Sequence, residues 1–396
     1  MKNFISLLKV EFRRIFSNGV LLAIFFGAPI GYGVLFGYVY QQAKVKDLPI
    51  VIIDQDRSPA TDKIIDAFQD NEGLHVVDIR STAGNLKKEM PTEQYAAVVT
   101  LPVGFEKDIL QKKHPEIRVD LNMANIVNAN TASNNINTVL MTLNAGFEIE
   151  GLKKQGMHPV QAKNSYESFK VNFNKLYNST GNYVTFMLPG ILAAIMQQVI
   201  FLAMALVFSR DFEDGYFKVL TRNSKSSFYH ILLKAVPFLL MLPFMWLFIS
   251  LLFPHFKIGA DIFNFPMLVL TVLLTLASMF IGMLFSIAIP SQLKATELLM
   301  VISTPAFILS GFTWPTEAIP SFIANIAQFI PVTQFLSGFR KIAFYGGDLS
   351  SISHEIGILL LIMAVAFTAM VVLLQFKINK SVKNEAVVLE DDFQEL

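Results

Sequence analysis

Two apolar blocks separated by a long polar stretch constrain this chain more than any other feature. One apolar run, Val20 to Tyr40, stands near the N-terminus, and five more crowd into Tyr183 to Phe376. Runs of about 20 residues, at about 1.5 Å per residue, cross a hydrocarbon core of about 30 Å. Composition agrees. Hydrophobic residues make up 53% and charged residues 16%, against about 25% charged in soluble proteins, and the mean hydropathy is +0.49. A net charge of +1 gives no electrostatic basis for nucleic-acid binding. The chain has no cysteine, which removes disulfides, thiolate metal sites and Cys nucleophiles.

The sequence predicts an α-helical polytopic membrane protein of six transmembrane helices with an inserted α/β extracytoplasmic domain. The spans are read at Val20–Tyr40, Tyr183–Phe208, Ile231–Phe253, Phe265–Ile289, Leu298–Trp314 and Glu355–Phe376. The fifth is short and expected to break at Pro305. The stretch from Gly311 to Ile330, with Pro315 and Pro320, is too short to cross and reads as a re-entrant or interfacial hairpin on the outer side, residues 311–335, the alternative being an extracellular loop with a surface amphipathic helix. Residues 1–18 are too long and mixed in charge for a signal-peptide n-region, so the first span is read as uncleaved.

Lysine and arginine set the orientation. Lys2, Lys9, Arg13, Arg14, Arg210, Lys218, Arg222, Lys225, Lys294, Lys377, Lys380 and Lys383 fall on one side, and Lys257, Arg340 and Lys341 on the other. Both termini are therefore expected to be cytoplasmic and the insert, residues 41–182, outside. The spans hold almost no charge at mid-membrane; Lys234, Glu297 and Glu355 sit near span ends. Ion-coupled carriers bury ionisable groups there, so any transport is expected to be powered from elsewhere.

Within the insert, strands are expected at Pro49–Asp54, Leu74–Ile79, Ala96–Leu101 and Ile117–Met123. Helices are expected at Ala60–Gln69, Ala83–Met90, Val103–Gln111, Val127–Lys154 and Val160–Tyr177. The first strand ends in Asp54-Gln-Asp56-Arg-Ser58. A D-x-D-x-S turn of this kind resembles the first motif of haloacid-dehalogenase-type phosphatases. Without a later lysine and aspartate pair to complete a metal site, the favoured reading is a strand-to-helix turn in which Asp56 or Ser58 bonds free backbone N–H groups. The scattered histidines do not form a metal motif. No Gly-Lys dipeptide exists, so the chain lacks a P-loop and is not expected to be an enzyme that hydrolyses ATP by itself.

Several local matches together resemble the ABC-2 type permeases, of the group with a large extracytoplasmic domain between spans one and two. The segment Leu8-Lys-Val-Glu11-Phe12-Arg13-Arg14-Ile15-Phe16 resembles the family's amphipathic elbow helix. Its Leu7, Leu8, Phe12, Ile15 and Phe16 share one face and its basic residues the other. The segments at Val51–Ser58, Val98–Phe105 and Val119–Asn125 are similar to the strands of the family's inserted domain. Ser209-Arg210-Asp-Phe212-Glu213-Asp214-Gly215 resembles its acidic-glycine segment, although Tyr216 stands where the family often has Thr. Lys234 matches a lysine that usually opens span three. Ser310-Gly311, Pro315, Pro320, Pro331-Val-Thr333 and Arg340 resemble the hairpin between spans five and six.

The resemblance implies a permease subunit of an ATP-driven exporter for a hydrophobic or amphipathic substrate, in a bacterial inner membrane. It implies a P-loop ATP-binding cassette partner that carries ATP and Mg, and a second permease copy or paralogue. Membrane lipid and a periplasmic adaptor are further partners to consider. The loop 209–227 is expected to couple to the ATPase through a short charged helical stretch, Phe212 to Leu220, with Phe212, Phe217 and Leu220 as anchors, Arg210, Glu213 and Asp214 as polar contacts, and Gly215 permitting close backbone approach or a turn. Phe12, Arg13 and Arg14 are assigned to the elbow. Gln197, Gln198, Gly311, Phe312, Pro315 and Pro320 are assigned to the translocation path or outer gate. The acidic tail within 377–396 is read as a flexible or partner-contacting end. The rival classes are an envelope sensor or scaffold with a ligand-binding outer domain, and a secondary carrier.

Overall fold

The computed structural model describes residues 4–41, 45–82, 84, 95–166, 176–178 and 181–394. The chain divides into two units, residues 1–43 with 175–396, and residues 44–174. In chain order, α1 (Phe4–Phe16) and the first apolar helix α2 (Gly19–Val39) precede the smaller unit. That unit holds β1 (Leu48–Asp54), α3 (Pro59–Gln69), β2 (Leu74–Arg80), β3 (Ala97–Leu101), α4 (Phe105–Leu110), β4 (Arg118–Leu121), α5 (Ile126–Lys154) and α6 (Pro159–Ser165). Then follow α7 (Tyr183–Glu213), α8 (Tyr216–Asn223), α9 (Ser227–His255), α10 (Phe265–Ala288), α11 (Gln292–Leu309), α12 (Ser321–Ala327), α13 (Pro331–Ala343) and α14 (Ser353–Gln394).

The smaller unit is built on a mixed sheet of order β2-β1-β3-β4, with β1 parallel to both neighbours and β4 antiparallel to β3. β1 is buried on both faces, as a continuous β-branched run requires. Ile50 and Ile52 pack under Ile64, Phe68 and Ile136 on one face. Val51, Ile53, Tyr95 and Val98 form a smaller cluster. The helix expected at Ala83–Met90 lies largely outside the described residues, as does the second half of the one expected at Val160–Tyr177.

The D-x-D-x-S segment is a turn. Asp54 is 5% exposed, its Oδ1 accepts the backbone N–H groups of Asp56 (3.0 Å) and Arg57 (2.9 Å), and its Oδ2 accepts the Thr61 hydroxyl (3.0 Å). Both oxygens of the would-be nucleophile are thus engaged. Ser58 caps α3 in a reciprocal box with Thr61. Asp56 caps a different helix from the one that follows it, accepting from Gly104 N (2.7 Å) and Glu106 N (2.9 Å) at the start of α4. Desolvation pushes the Asp56 pKa upward, but the N–H groups of Glu106 and Gly104 and the Ser58 hydroxyl outweigh it, and the carboxyl titrates below its usual range. A depressed pKa contributes stability above the unfolded value of about 4, and that contribution is lost as pH falls through the lower folded value. Asp56→Ala is expected to cost the smaller unit about 2 kcal/mol at neutral pH. Hydrogen exchange at the start of α4 will detect it, and the deficit relative to wild type should shrink in acid. An unchanged protection pattern would remove the cap from the account.

In the larger unit, six helices among the described residues are long and apolar enough to span a membrane: α2, α7, α9, α10, α11 and residues Ser353–Lys383 of α14. A seventh is counted if the pair α12 and α13, bent by 87°, forms one broken span. α10 lies at the centre, packed on α7, α11, α13 and α14. Its Gly282 meets α7 so closely that an added Cβ would stand 2.5 Å from Met204 Cβ and 3.2 Å from the Phe201 carbonyl oxygen. Two boundaries correct the sequence reading. α11 begins at Gln292 and continues through Pro305 to Leu309; a proline bends a helix without ending it where neighbouring groups take up the freed backbone. Gly311, in the left-handed region at φ 75°, follows its end. α14 continues into the acidic tail as far as Gln394. No Gly or Pro interrupts it after Gly357, and its last turns are rich in helix formers.

Candidate functional site: a buried ion-pair network at the foot of the second span

The loop between α7 and α9 was expected to hold one charged helix from Phe212 to Leu220. Instead α7 runs on to Glu213, the chain turns at Asp214 and Gly215, and α8 begins at Tyr216. Gly215 adopts φ 69°, a conformation that costs an L-residue about 1–2 kcal/mol, so glycine sets the break.

The added turn of α7 carries Asp211 into the protein, where it is fully buried. Its Oδ1 accepts Arg14 Nη1 from α1 at 2.5 Å, and its Oδ2 lies 2.5 Å from Lys234 Nζ of α9. Lys234 also donates to Glu11 Oε2 at 2.8 Å. Arg14 reaches on to Asp214 Oδ2 at 3.2 Å, which Arg210 Nε approaches at 3.4 Å, while Arg210 Nη1 donates to the Arg14 carbonyl at 3.2 Å. Tyr216 lies beneath the cluster, its ring centroid 4.3 Å from Arg14 Cζ and 5.9 Å from Lys234 Nζ. Burial works against the Arg14 charge, but Asp211 and Glu11 more than offset it and hold its pKa above the ordinary value. Three acids and three bases from α1, α7, the turn and α9 thus neutralise one another. A buried charge is tolerated only in such company.

The network draws one of the three residues assigned to the elbow, Arg14, into contacts within the chain. The face of α1 that packs on its own chain is Leu7, Glu11 and Ile15. Arg14 turns toward that face, whereas Arg13 is exposed, and Phe12 stacks on the exposed Phe16 at 6.3 Å. The anchors are corrected too. Phe217 and Leu220 are 6% and 0% exposed. Leu220 packs on Leu7 and Leu233, and Phe217 on Phe212 at 4.7 Å. They fasten α8 to its own chain. The outward side chains of α8 are Lys218, Val219 and Arg222. Glu213 is likewise engaged, accepting Gln292 N (2.8 Å) and Gln292 Nε2 (2.5 Å) at the start of α11.

Residues assigned to the path separate in space. Gln197 is buried, and its Oε1 accepts Val332 N at 2.7 Å, satisfying a free N–H at the start of α13. Gln198 beside it is half-buried. Gly311, Phe312 and Pro315 line one cavity with Arg340, and Pro320 precedes α12. Sequence reasoning named Glu11, Arg14 and Lys234 singly and missed Asp211. The available signal was an acid in the last turn of an apolar helix, four residues before a loop glycine.

The larger unit is thus a polytopic helical bundle whose second and third spans, α7 and α9, are charge-locked to α1, and a small α/β unit is inserted in the sequence after the first span. The family profile described as "ABC-2 family transporter protein" matches residues 20–372. The chain belongs to the ABC-2 family of transporter proteins and is a multi-pass membrane protein. It is similar to the inner membrane transport permease YhhJ of Escherichia coli K12, 23% identical over 345 residues that cover 83% of this chain and 85% of the relative. It is similar to the probable multidrug ABC transporter permease YbhR of the same strain, 21% identical with 82% and 86% covered. It also resembles the linearmycin resistance permease protein LnrN of Bacillus subtilis 168, 23% identical with 93% and 98% covered.

Proposed function

We propose that this chain is the membrane-spanning subunit of an ATP-driven exporter of hydrophobic or amphipathic molecules in a bacterial inner membrane. In this reading both termini are cytoplasmic, residues 41–182 are extracytoplasmic, and a second permease copy or paralogue completes the pathway. ATP and Mg are bound by a separate ATP-binding cassette subunit docked on α8 and α1. The observation that carries the reading is the geometry of α8. A short amphipathic helix is pinned by its apolar face to α1 and α9 and leaves Lys218, Val219 and Arg222 outward. A rigid lever of this kind passes a push at its outer face directly to α7 and α9. The names of the relatives, which include a probable multidrug permease and a linearmycin resistance permease, support a transport role.

The test is reconstitution with the ATPase subunit. Lys218→Glu with Val219→Asp is expected to lower coupled ATP turnover and transport at least tenfold while leaving thermal unfolding of the isolated chain unchanged, because both side chains are exposed. A cysteine at Ser133 should react with an impermeant maleimide in intact cells, and one at Ser224 should not. Wild-type coupling in the double variant would dismiss α8 as the docking element, and reversed labelling would dismiss the orientation.

A further inference from the structure

Arg340 is a charge that the ion-pair network does not explain. It lies on α13, half-buried, in a cavity of about 560 Å³ lined also by Thr185, Phe186, Phe312, Thr313 and Tyr345. Its neighbour Lys341 pairs with Glu355 at 2.8 Å. Arg340, by contrast, has no carboxylate within 4.0 Å among the described residues, although Glu317 lines the same cavity. Its Nη2 donates to the Phe312 carbonyl at 2.5 Å, and its Nη1 reaches the Gly311 carbonyl at 3.5 Å. A guanidinium carries five N–H groups in a fork suited to carboxylate or phosphate. Two directed at carbonyls leave the rest of the fork for another acceptor.

The aromatic rings fix where that fork points. Phe186 and Phe312 stack at 5.6 Å with 13° between planes. The guanidinium lies 4.3 Å from the Phe312 centroid and 5.6 Å from that of Phe186. Phe312 is 3% exposed and held tightly: a Cβ added at Gly190 would collide with its ring. Tyr177 and Tyr345 form a second ring pair at 4.7 Å on the cavity lining. Stapling the turn after α11 accounts for two donors. It does not account for a planar cation laid on an aromatic pair beside open space whose wall mixes rings with the polar Thr185, Thr313, Thr316 and Glu317.

We propose that this cavity binds an amphipathic anion, with a carboxylate or phosphate on the Arg340 fork and an apolar body along the Phe186, Phe312 and Tyr345 rings. Thr185 and Thr313 supply hydroxyls beside the anion. The site stands about 39 Å along α7 from the Asp211 network, by 26 residues at about 1.5 Å each. It deepens the permease reading by naming a cargo class, and rests on that reading only for the cargo role. Binding itself is measured without the ATPase, so failure of one is distinguishable from failure of the other.

The experiment uses the full chain in phosphatidylcholine nanodiscs with a dansyl-labelled medium-chain fatty acid and its uncharged methyl ester. The acid is expected to bind saturably and the ester at least tenfold more weakly. Arg340→Met is expected to weaken the acid at least tenfold. Because that variant also loosens the turn, Thr313→Asp is tested beside it; it keeps the Arg340 carbonyl bonds, brings a competing carboxylate to the lining, and should weaken the acid to a similar degree. Nanodiscs containing phosphatidylglycerol separate the sources of the anion. Competition with the probe identifies a lipid headgroup as an occupant, and its absence identifies a free amphiphile; both support the site. Equal binding of acid and ester, or acid affinity within twofold of wild type in both variants, would overturn it.

Discussion

Replacing Lys234 with methionine is expected to destabilise the membrane unit by about 3–5 kcal/mol, the usual cost of removing one partner from a buried ion pair. Lys234 is 3% exposed and stands between Glu11 and Asp211 at 2.8 and 2.5 Å. Without it, two carboxylates face each other with only Arg14 to balance them, at 3.8 Å from Glu11 and 2.5 Å from Asp211. Methionine keeps the apolar stem and its packing, so the loss reports charge and not volume. Pairing Lys234→Met with Asp211→Asn should restore much of the stability, because one acid and one base then remain buried together. Equilibrium unfolding in mixed micelles measures both variants. A single variant within about 1 kcal/mol of wild type, or a double variant no better than the single, would contradict a coupled network.

Gly282→Leu should cost about 3 kcal/mol, at the upper end of overpacking effects. The nearest neighbours of the new Cβ are the Met204 Cβ and the Phe201 carbonyl oxygen, neither of which is the far end of a flexible side chain. Relief requires α10 and α7 to separate. Close by, Ser286 of α10 accepts the Phe208 and Ser209 N–H groups of α7 at 2.8 and 2.9 Å. Separation would therefore also strip two buried donors of their acceptor. The same unfolding measurement, with Gly282→Ala as the smaller step, should give a graded loss. Equal stability of glycine, alanine and leucine chains would show that the helices are not in contact there.

Most of the helices and strands were legible because their signals are local. Apolar length marks a span, β-branched runs mark β1 and β3, and Ser58 followed by Pro59 marks the start of α3. The mistakes came where a local signal met a tertiary partner. Pro305 reads as a break, yet α11 passes through it. Phe217 and Leu220 read as anchors for another protein, because an amphipathic helix of a few turns does not tell which surface covers its apolar face; α1 and α9 cover Leu220, and Phe212 of α7 packs on Phe217. Gln197 reads as a polar group facing a pathway, but it satisfies the N–H of Val332, 135 residues away.

The sequence by itself determined the membrane class, the inserted unit and the absence of a P-loop, since hydropathy and residue identity act within a few residues of one another. Only the tertiary structure decided which charges meet. Glu11, Arg14, Asp211 and Lys234 lie up to 223 residues apart, and no spacing rule links them. What joins them is the packing of α1 against α7 and α9. In that low-dielectric contact an unpaired charge is too costly to keep, so each ion is stable only beside its opposite.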